Sequence, residues 1–347
     1  GPDNVGGRTR AVMFDPNDPD HNTVWTGGVA GGLWVAEDIT FTDPGWVKID
    51  DFWDNMAVTT IAYDPTNTNT FYVGTGEGWY NGGAVRGSGI WKSEDGGMSW
   101  FHLDATDGDE FLFVQKIIVH PSDGTVFAAT RSTSSVGGGI FLSNDSGTSW
   151  IKVLESEGNR SRAADLEIGS DGAIYAALGI WYADGVYKST DGTNWAKLND
   201  GSNGFPTTGF GRLEIATAPS NSDVIYVVGS SGENTNDDIG VFLKSVDGGE
   251  SWSNVTIPLN TNNNHFTRGQ AWYDLILAVD PTDENIVYAG GIDLFKSEDG
   301  GDNWTEISHW YGGFGYPYVH ADQHGFVFNP DDNQSILFSN DGGIHRT

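Results

Sequence analysis

The chain contains no cysteine. Disulfide frameworks, thiolate metal sites and a cysteine nucleophile are therefore excluded, and the redox compartment stays open. Basic residues are scarce: 17 Lys and Arg stand against 48 Asp and Glu, a formal net charge of −31. A negative field of that size repels phosphate backbones and anionic lipid, which argues against nucleic acid and membrane surfaces as partners. No apolar run approaches the ~18 residues of a spanning helix, so the chain is read as not membrane-spanning. No nucleophile elbow, metalloprotease helix or zinc-cysteine set occurs. What is abundant is glycine (49) and tryptophan (14), a composition that suits an exported all-β protein.

One phrase recurs. Ser93-Glu94-Asp95-Gly96-Gly97-Met98-Ser99-Trp100 returns as Ser143 to Trp150, Ser189 to Trp195, Ser245 to Trp252 and Ser297 to Trp304, and a sixth copy opens at Ser339-Asn340-Asp341-Gly342-Gly343. Its aspartates are spaced by 50, 46, 56, 52 and 42 residues. A period of that length with four short strand signals per unit predicts propeller blades. Gly-Gly after Asp supplies positive φ for a tight turn, the Ser and Asp side chains can bond the turn's own amides, and the Trp can wedge between sheets. The phrase is thus a fold element rather than chemistry.

The predicted fold is all-β: a seven-bladed β-propeller of four-stranded antiparallel blades, its last blade incomplete, forming a single domain over residues 1–347. The blades fall near residues 8–52, 57–106, 111–157, 161–200, 209–258, 273–310 and 317–347. The unfinished edge of the seventh leads to the expectation that these residues belong to a longer chain with further domains, the closing strand being encoded beyond Thr347.

Strand alternation sorts the loops. First-to-second turns such as Asp64-Pro65-Thr66-Asn67 share one side with the Ser-Asp-Gly turns and are polar. Second-to-third and fourth-to-first loops share the other side, and they hold Trp53, Trp79, Tyr80, Trp181, Tyr182, Phe205, Phe210, Phe266, Trp272, Tyr273, Trp310, Tyr311, Phe314, Tyr316 and Tyr318. Eight of the nine arginines lie in or beside these loops (Arg8, Arg10, Arg86, Arg131, Arg160, Arg162, Arg212 and Arg268), while seven of the eight lysines fall on outer strands. Ring faces stack on sugars and Arg grips carboxylate or sulfate, so this side reads as a glycan-binding face; loop packing and neutralisation of nearby acids is the plainer reading.

Three constellations can carry chemistry. Gly74-Thr75-Gly76-Glu77-Gly78-Trp79-Tyr80 opens an insertion ending at Arg86; Glu77 is a general acid, a metal ligand or a partner of Arg86. In His320-Ala321-Asp322-Gln323-His324 an extended backbone puts His320, Asp322 and His324 on one face, as a metal or acid-base set or as a buried polar plug. Trp272-Tyr273-Asp274 holds the equivalent place in the neighbouring blade. If a glycan is cleaved, the carboxylate pair is drawn from Glu77, Asp274 and Asp322, with Arg8, Arg10, Trp79, Tyr80, Arg86, Trp272, Tyr273, His320 and His324 binding the ligand. Asp107-Gly108-Asp109-Glu110 and Asn236-Asp237-Asp238 are acidic enough to take Ca2+, although neither matches a defined calcium loop.

The Ser-x-Asp-x-Gly-x-Ser/Thr-Trp phrase resembles the Asp box of sialidase-type (BNR repeat) propellers. Gly6-Gly7-Arg8-Thr9-Arg10, Gly74-Thr75-Gly76-Glu77 and His320 to His324 resemble secreted bacterial members related to sortilin-type receptor domains and to xyloglucan-cleaving hydrolases. The resemblance implies an extracellular protein, secreted or attached to the cell surface, that binds or hydrolyses an extracellular glycan, an anionic one on account of the arginines; a non-enzymatic protein-binding receptor or adhesin is the alternative. Sialidases carry Phe/Tyr-Arg-Ile-Pro at the first arginine of a triad, where this chain has Gly7-Arg8-Thr9-Arg10. Xyloglucanases carry a catalytic Asp just after the second strand, where this chain has Thr26-Gly27-Gly28-Val29.

Overall fold

The computed structural model describes residues 7–49, 53, 57–131, 133, 136–156, 161–232 and 238–347. Gly6, Arg160, Asn236 and Asp237, singled out above, lie outside the described residues. The fold is a seven-bladed β-propeller with no α-helix among the described residues, two short 3-10 turns aside.

Each blade is an antiparallel meander. The first four run β1 (Thr9–Phe14), β2 (Val24–Gly28), β3 (Gly32–Ala36), β4 (Val47–Lys48); β5 (Val58–Asp64), β6 (Asn67–Thr75), β7 (Ile90–Ser93), β8 (Phe101–His102); β9 (Val114–Val119), β10 (Val126–Thr130), β11 (Gly139–Ser143), β12 (Ile151–Leu154); and β13 (Ala163–Ile168), β14 (Ile174–Leu178), β15 (Gly185–Ser189), β16 (Ala196–Lys197). The others run β17 (Phe210–Ala218), β18 (Asn221–Ser231), β19 (Ile239–Ser245), β20 (Ser253–Asn254); β21 (Ile276–Val279), β22 (Val287–Gly290), β23 (Leu294–Ser297), β24 (Thr305–Glu306); and a three-stranded sheet of β25 (Gln323–Asn329), β26 (Asp332–Asn340) and β27 (Gly343–Arg346).

The second strands are sandwiched between neighbours. Val126-Phe127-Ala128-Ala129-Thr130 and Ile174-Tyr175-Ala176-Ala177-Leu178 are buried at every position, which is why they read as short continuous apolar runs rather than as an alternation. Close approach of sheets sets the residue size. A Cβ on Gly27 would meet Val58 Cγ1 at 2.1 Å, and one on Gly74 would meet Val114 Cγ1 at 2.6 Å.

The recurring phrase forms one turn between third and fourth strands. Ser93 Oγ donates to Asp95 Oδ1 (2.9 Å) and accepts the Gly97 amide (2.8 Å), while Asp95 Oδ1 accepts the Ser99 amide (2.8 Å). The same contacts recur around Asp145, Asp247 and Asp299, and in a version one residue shorter around Asp191. The Trp then packs inward: Trp100 bonds Gly97 O and lies edge-on to Trp25 at 6.1 Å.

The sixth copy is a different structure. Ser339 to Gly343 lies between the second and third strands, with Asn340 paired to Gly343 around a two-residue Asp341-Gly342 hairpin. The full turns place Ser or Asn six residues after the first Ser, ready to bond the Asp. Here that position is His345, already in β27, and Asp-Gly acts as an ordinary hairpin signal.

Two compact units organise the chain: Gly1–Ala163 with Val327–Thr347, and Ala164–Phe326. The first is built around Met13, Trp25, Leu33, Trp53, Phe71 and Val73, with Trp91 stacked on Trp53 at 4.7 Å. The second is built around Tyr226, Phe242, Phe266, Leu275 and Phe295, against which Trp304 packs.

The turns predict a defined acid limb. Hydrogen bonds from Ser149, then Ser143, hold Asp145 down at about 2, and those from Ser251, then Ser245, do the same for Asp247. A depressed carboxylate contributes stability that is present above its ordinary value of 3.8 and lost as pH falls through the folded value. Thermal melts should therefore fall off between about pH 4 and pH 2, and Asp145→Asn should be less stable than wild type at neutral pH, with the gap closing over that window. Gly97 has φ of 87° and a Cβ there would sit 2.3 Å from Trp25; Gly97→Ala should cost more than about 1–2 kcal/mol in denaturant melts.

Candidate functional site

In the first unit, the sequence-predicted loop leaves β6 and turns back at Gly76, whose amide bonds Ala57 O. Glu77 is fully buried and is neutralised where it stands. Arg10 Nε donates to Oε1 (2.8 Å), Arg8 Nη2 lies 3.3 Å from Oε2, and Asn81 donates to Oε2 (2.9 Å). Arg8 also bonds Gly83 O, and Arg10 lies 5.7 Å over the Trp79 ring, which is itself buried. A carboxylate so enclosed braces the insertion against β1. Glu77 thus braces the insertion through two arginines and an asparagine in this structure.

Beyond that brace the loop carries an arginine cluster. Tyr80, exposed and at φ 66°, is flanked by Arg131 at 4.0 Å and Arg162 at 4.9 Å from its ring, and Arg131 also covers Phe113 at 3.6 Å. Arg131 and Arg162 face each other across an antiparallel bridge. Burial, and then the charges of Arg162 and Arg86, push the Arg131 guanidinium below its usual value. Cations held together against their own repulsion favour an anionic ligand.

In the second unit, a cavity of about 540 Å³ is lined by Arg268, Gln270, Ile292, Trp310, Tyr311, Tyr318, His320, Ala321 and Asp322. Trp310 and Tyr311 stack at 3.6 Å, and Tyr311, Phe314 and Tyr318 are exposed. Arg268 is held by Asp293 (2.9 Å) and lies 5.7 Å over Trp310.

The period-two face expected for His320, Asp322 and His324 does not form. Asp322 adopts φ of 64° and β25 starts only at Gln323, because the buried Gln323 ties the turn down through its amide to Gly291 O and its side chain to His320 O. The turn sends His320 and Asp322 to the cavity, while His324 packs edge-on against Tyr273 at 4.9 Å. Trp272 stacks on Trp181 at 5.3 Å.

Asp274 and Asp322 are brought together, with unlike surroundings. Asp274 is fully buried, and burial, followed by the Asp322 charge, pushes its carboxyl well above the usual range; Arg212 opposes this. Arg212 is itself committed to Glu214 and to the carbonyls of Tyr273 and Leu275. Burial and the charge of the half-buried Asp322 thus both favour the protonated form of Asp274.

Arg268, Trp310, Tyr311 and Tyr318 belong to the aromatic and arginine loops that the sequence presents as the ligand face, whereas Gln270 carries no signal of its own. Of the acidic loops, Glu110 pairs with Lys152 (2.8 Å) and Asp238 with His265 (3.2 Å). Among the described residues the donor atoms that converge are those of Asp293, Glu306 and His309.

A buried acid raised in the fold keeps its proton while the same carboxyl ionises in the unfolded chain, so stability is lost as pH rises from about 4 towards the folded value. Thermal melts across pH 4 to 8 should show wild type losing stability with rising pH, and Asp274→Asn should flatten that slope; equal slopes would show that Asp274 is charged in the fold.

No family model matches the chain. It is 29% identical over 348 residues to a xyloglucanase from Paenibacillus sp, covering 87% of this chain and 31% of that protein. It is 32% identical over 141 residues to a xyloglucanase from Acetivibrio thermocellus, covering 39% of this chain and 16% of that one. The chain thus spans less than a third of the length of these curated relatives. Among solved structures, the GH74 xyloglucanase from Xanthomonas campestris aligns with a TM-score of 0.67 at 18% identity, over 98% of this chain and 51% of that chain. YCF48 bound to D1 peptide aligns with a TM-score of 0.62 at 16% identity, over 98% and 92%. Identities this low show the fold alone: a seven-bladed β-propeller similar to those of GH74 xyloglucanases and YCF48.

Proposed function

We propose that this chain is a glycan-binding propeller of the Asp-box, sialidase-like type, secreted or attached to the cell surface, which takes an anionic extracellular polysaccharide and hydrolyses it. The observation that carries the reading is the aromatic cavity with Asp322 on its wall and the buried Asp274 behind it. Tyr311 and Tyr318 offer ring faces to sugar C–H surfaces, and Arg268 offers a fork for carboxylate or sulfate. Asp322 is the carboxyl group that reaches the ligand, as acid-base catalyst. Asp274 is a positioning residue whose neutrality keeps like charge from accumulating beside it. The xyloglucanase relatives support a polysaccharide as the substrate class. Glu77, buried under two arginines, is set aside as a catalyst.

The second reading is a protein-binding receptor or adhesin. It is favoured by a groove of about 750 Å³ in the first unit, lined by Trp34, Ile39, Phe41, Pro44, Trp46 and Ile344, with Phe41 exposed.

A panel of neutral and anionic polysaccharides separates these readings. Reducing ends should be released from an anionic polymer, and Asp322→Asn should cut the rate by ~100-fold or more, the scale of a positioned proton donor, while binding persists. Tyr311→Ala should weaken binding by about tenfold through lost stacking. Binding without turnover leaves a lectin, and silence across the panel leaves the protein partner.

A further inference from the structure

Asp293, Glu306 and His309 come from three places: the turn after β22, the end of β24 and the start of the aromatic loop. One donor atom of each lies within 4.8 Å of the others, and all three side chains are buried, at 0%, 7% and 2% exposure. Of the three, Glu306 is left short of a partner. Asp293 accepts the Trp310 amide at Oδ1 and Arg268 at Oδ2, both 2.9 Å. Glu306 accepts the Thr261 amide at Oε2 (3.2 Å), but its Oε1 is buried with no hydrogen-bond partner. His309 accepts the Tyr311 amide at Nδ1 (3.2 Å).

Two carboxylates face one guanidinium and one imidazole, so negative charge is left over among buried side chains. Such a surplus is compensated by a proton or by a cation.

We propose that Asp293, Glu306 and His309 form a binding site for a divalent cation of the zinc class. A histidine nitrogen with two carboxylate oxygens suits Zn2+, whereas Ca2+ requires six to eight oxygens and Mg2+ an octahedral oxygen shell. The site stands at the root of the loop that forms the cavity wall. His309 N bonds Pro317 O (3.0 Å) and His309 bridges to Tyr318, so a cation there pins both ends of that loop. Metal on Nδ1 takes the lone pair that Tyr311 uses, and metal on Nε2 moves the ring proton onto Nδ1. Either way the Tyr311 amide is released. Arg268 opposes the cation, since its charge already answers Asp293.

The site stands whether or not the cavity takes a glycan, and its test needs no glycan. Chelator-treated protein is titrated calorimetrically with ZnCl2, and separately with MnCl2 and CaCl2. One Zn2+ should bind per chain, with no heat from CaCl2. Glu306→Gln should weaken binding by more than about 100-fold, above the range of about 10–100-fold seen for outer-shell changes; Arg268→Met should tighten it; and the Tyr311 amide resonance should shift on loading. Melting of Glu306→Gln without metal confirms that the variant folds. Absence of saturable Zn2+ binding to wild type overturns the proposal and identifies a proton on Glu306 as the compensator. Binding that Glu306→Gln leaves unchanged overturns it equally, because the metal then sits elsewhere.

Discussion

The outer strand of a blade is the weakest part of the structure, and the turn before it is what holds it. In five of the sheets (β4, β8, β16, β20 and β24) that strand is two residues long. Two residues cannot hold a strand against its conformational entropy, and an outermost strand gains packing on one edge only. Where the recurring phrase stands, the hydroxyl and carboxylate of the turn fix both of its ends. Ser93 clamps the Gly97 amide, Asp95 clamps the Ser99 amide, and Trp100 is then delivered against Trp25. The large aromatic packing is thereby fixed by a few short local bonds, which explains why the phrase tolerates change at Glu94 and Met98 but repeats its Ser, Asp, Gly and Trp.

The segregation of lysine from arginine has a related cause. Tyr72, Tyr175, Tyr226 and Tyr288 on second strands pair across the sheet with Lys92, Lys188, Lys244 and Lys296 on third strands. In each pair the ammonium lies 5.2–5.8 Å over the ring. These lysines cover the blade surface by stem and cation-π contact. The arginines do something an ammonium cannot do, using the planar fork on Glu77 or the flat face against Tyr80. What the composition presents as one scarce class of basic residue is two classes, one internal to the blades and one belonging to loops.

The blades were legible in the sequence because a tight Asp-Gly turn admits few residue types and the turns recur at intervals of 42 to 56 residues. The loops were legible only in composition. That Glu77 meets Arg10, 67 positions earlier in another blade, follows from register that no local pattern carries. The backbone of Asp322 was misjudged because a period-two reading assumes extended φ, and a buried glutamine one residue later enforces the left-handed region. The sixth copy of the phrase shows the converse error: the same letters, placed after a second strand and lacking an acceptor-seeking Ser or Asn downstream, make a hairpin.

Carboxylates in this chain sort by how completely the fold answers them. Asp165 accepts the Ile215 amide, Asp280 closes its own turn through Thr282, and Glu77 has two arginines and an asparagine. Those acids are structural, since every oxygen lone pair that matters is spent on the backbone or on a cation. Asp274 and Glu306 are buried as deeply and answered less. A chain with 48 acidic residues and a surface on which nearly all of them could be solvated has no compositional pressure to bury two carboxyl groups short of partners. Each lies beside a residue of one cavity wall, Asp274 against Asp322 and Glu306 below Trp310 and Tyr311 in sequence and in space with His309. Two buried carboxyl groups short of partners around the same cavity are what the proposed binding site accounts for.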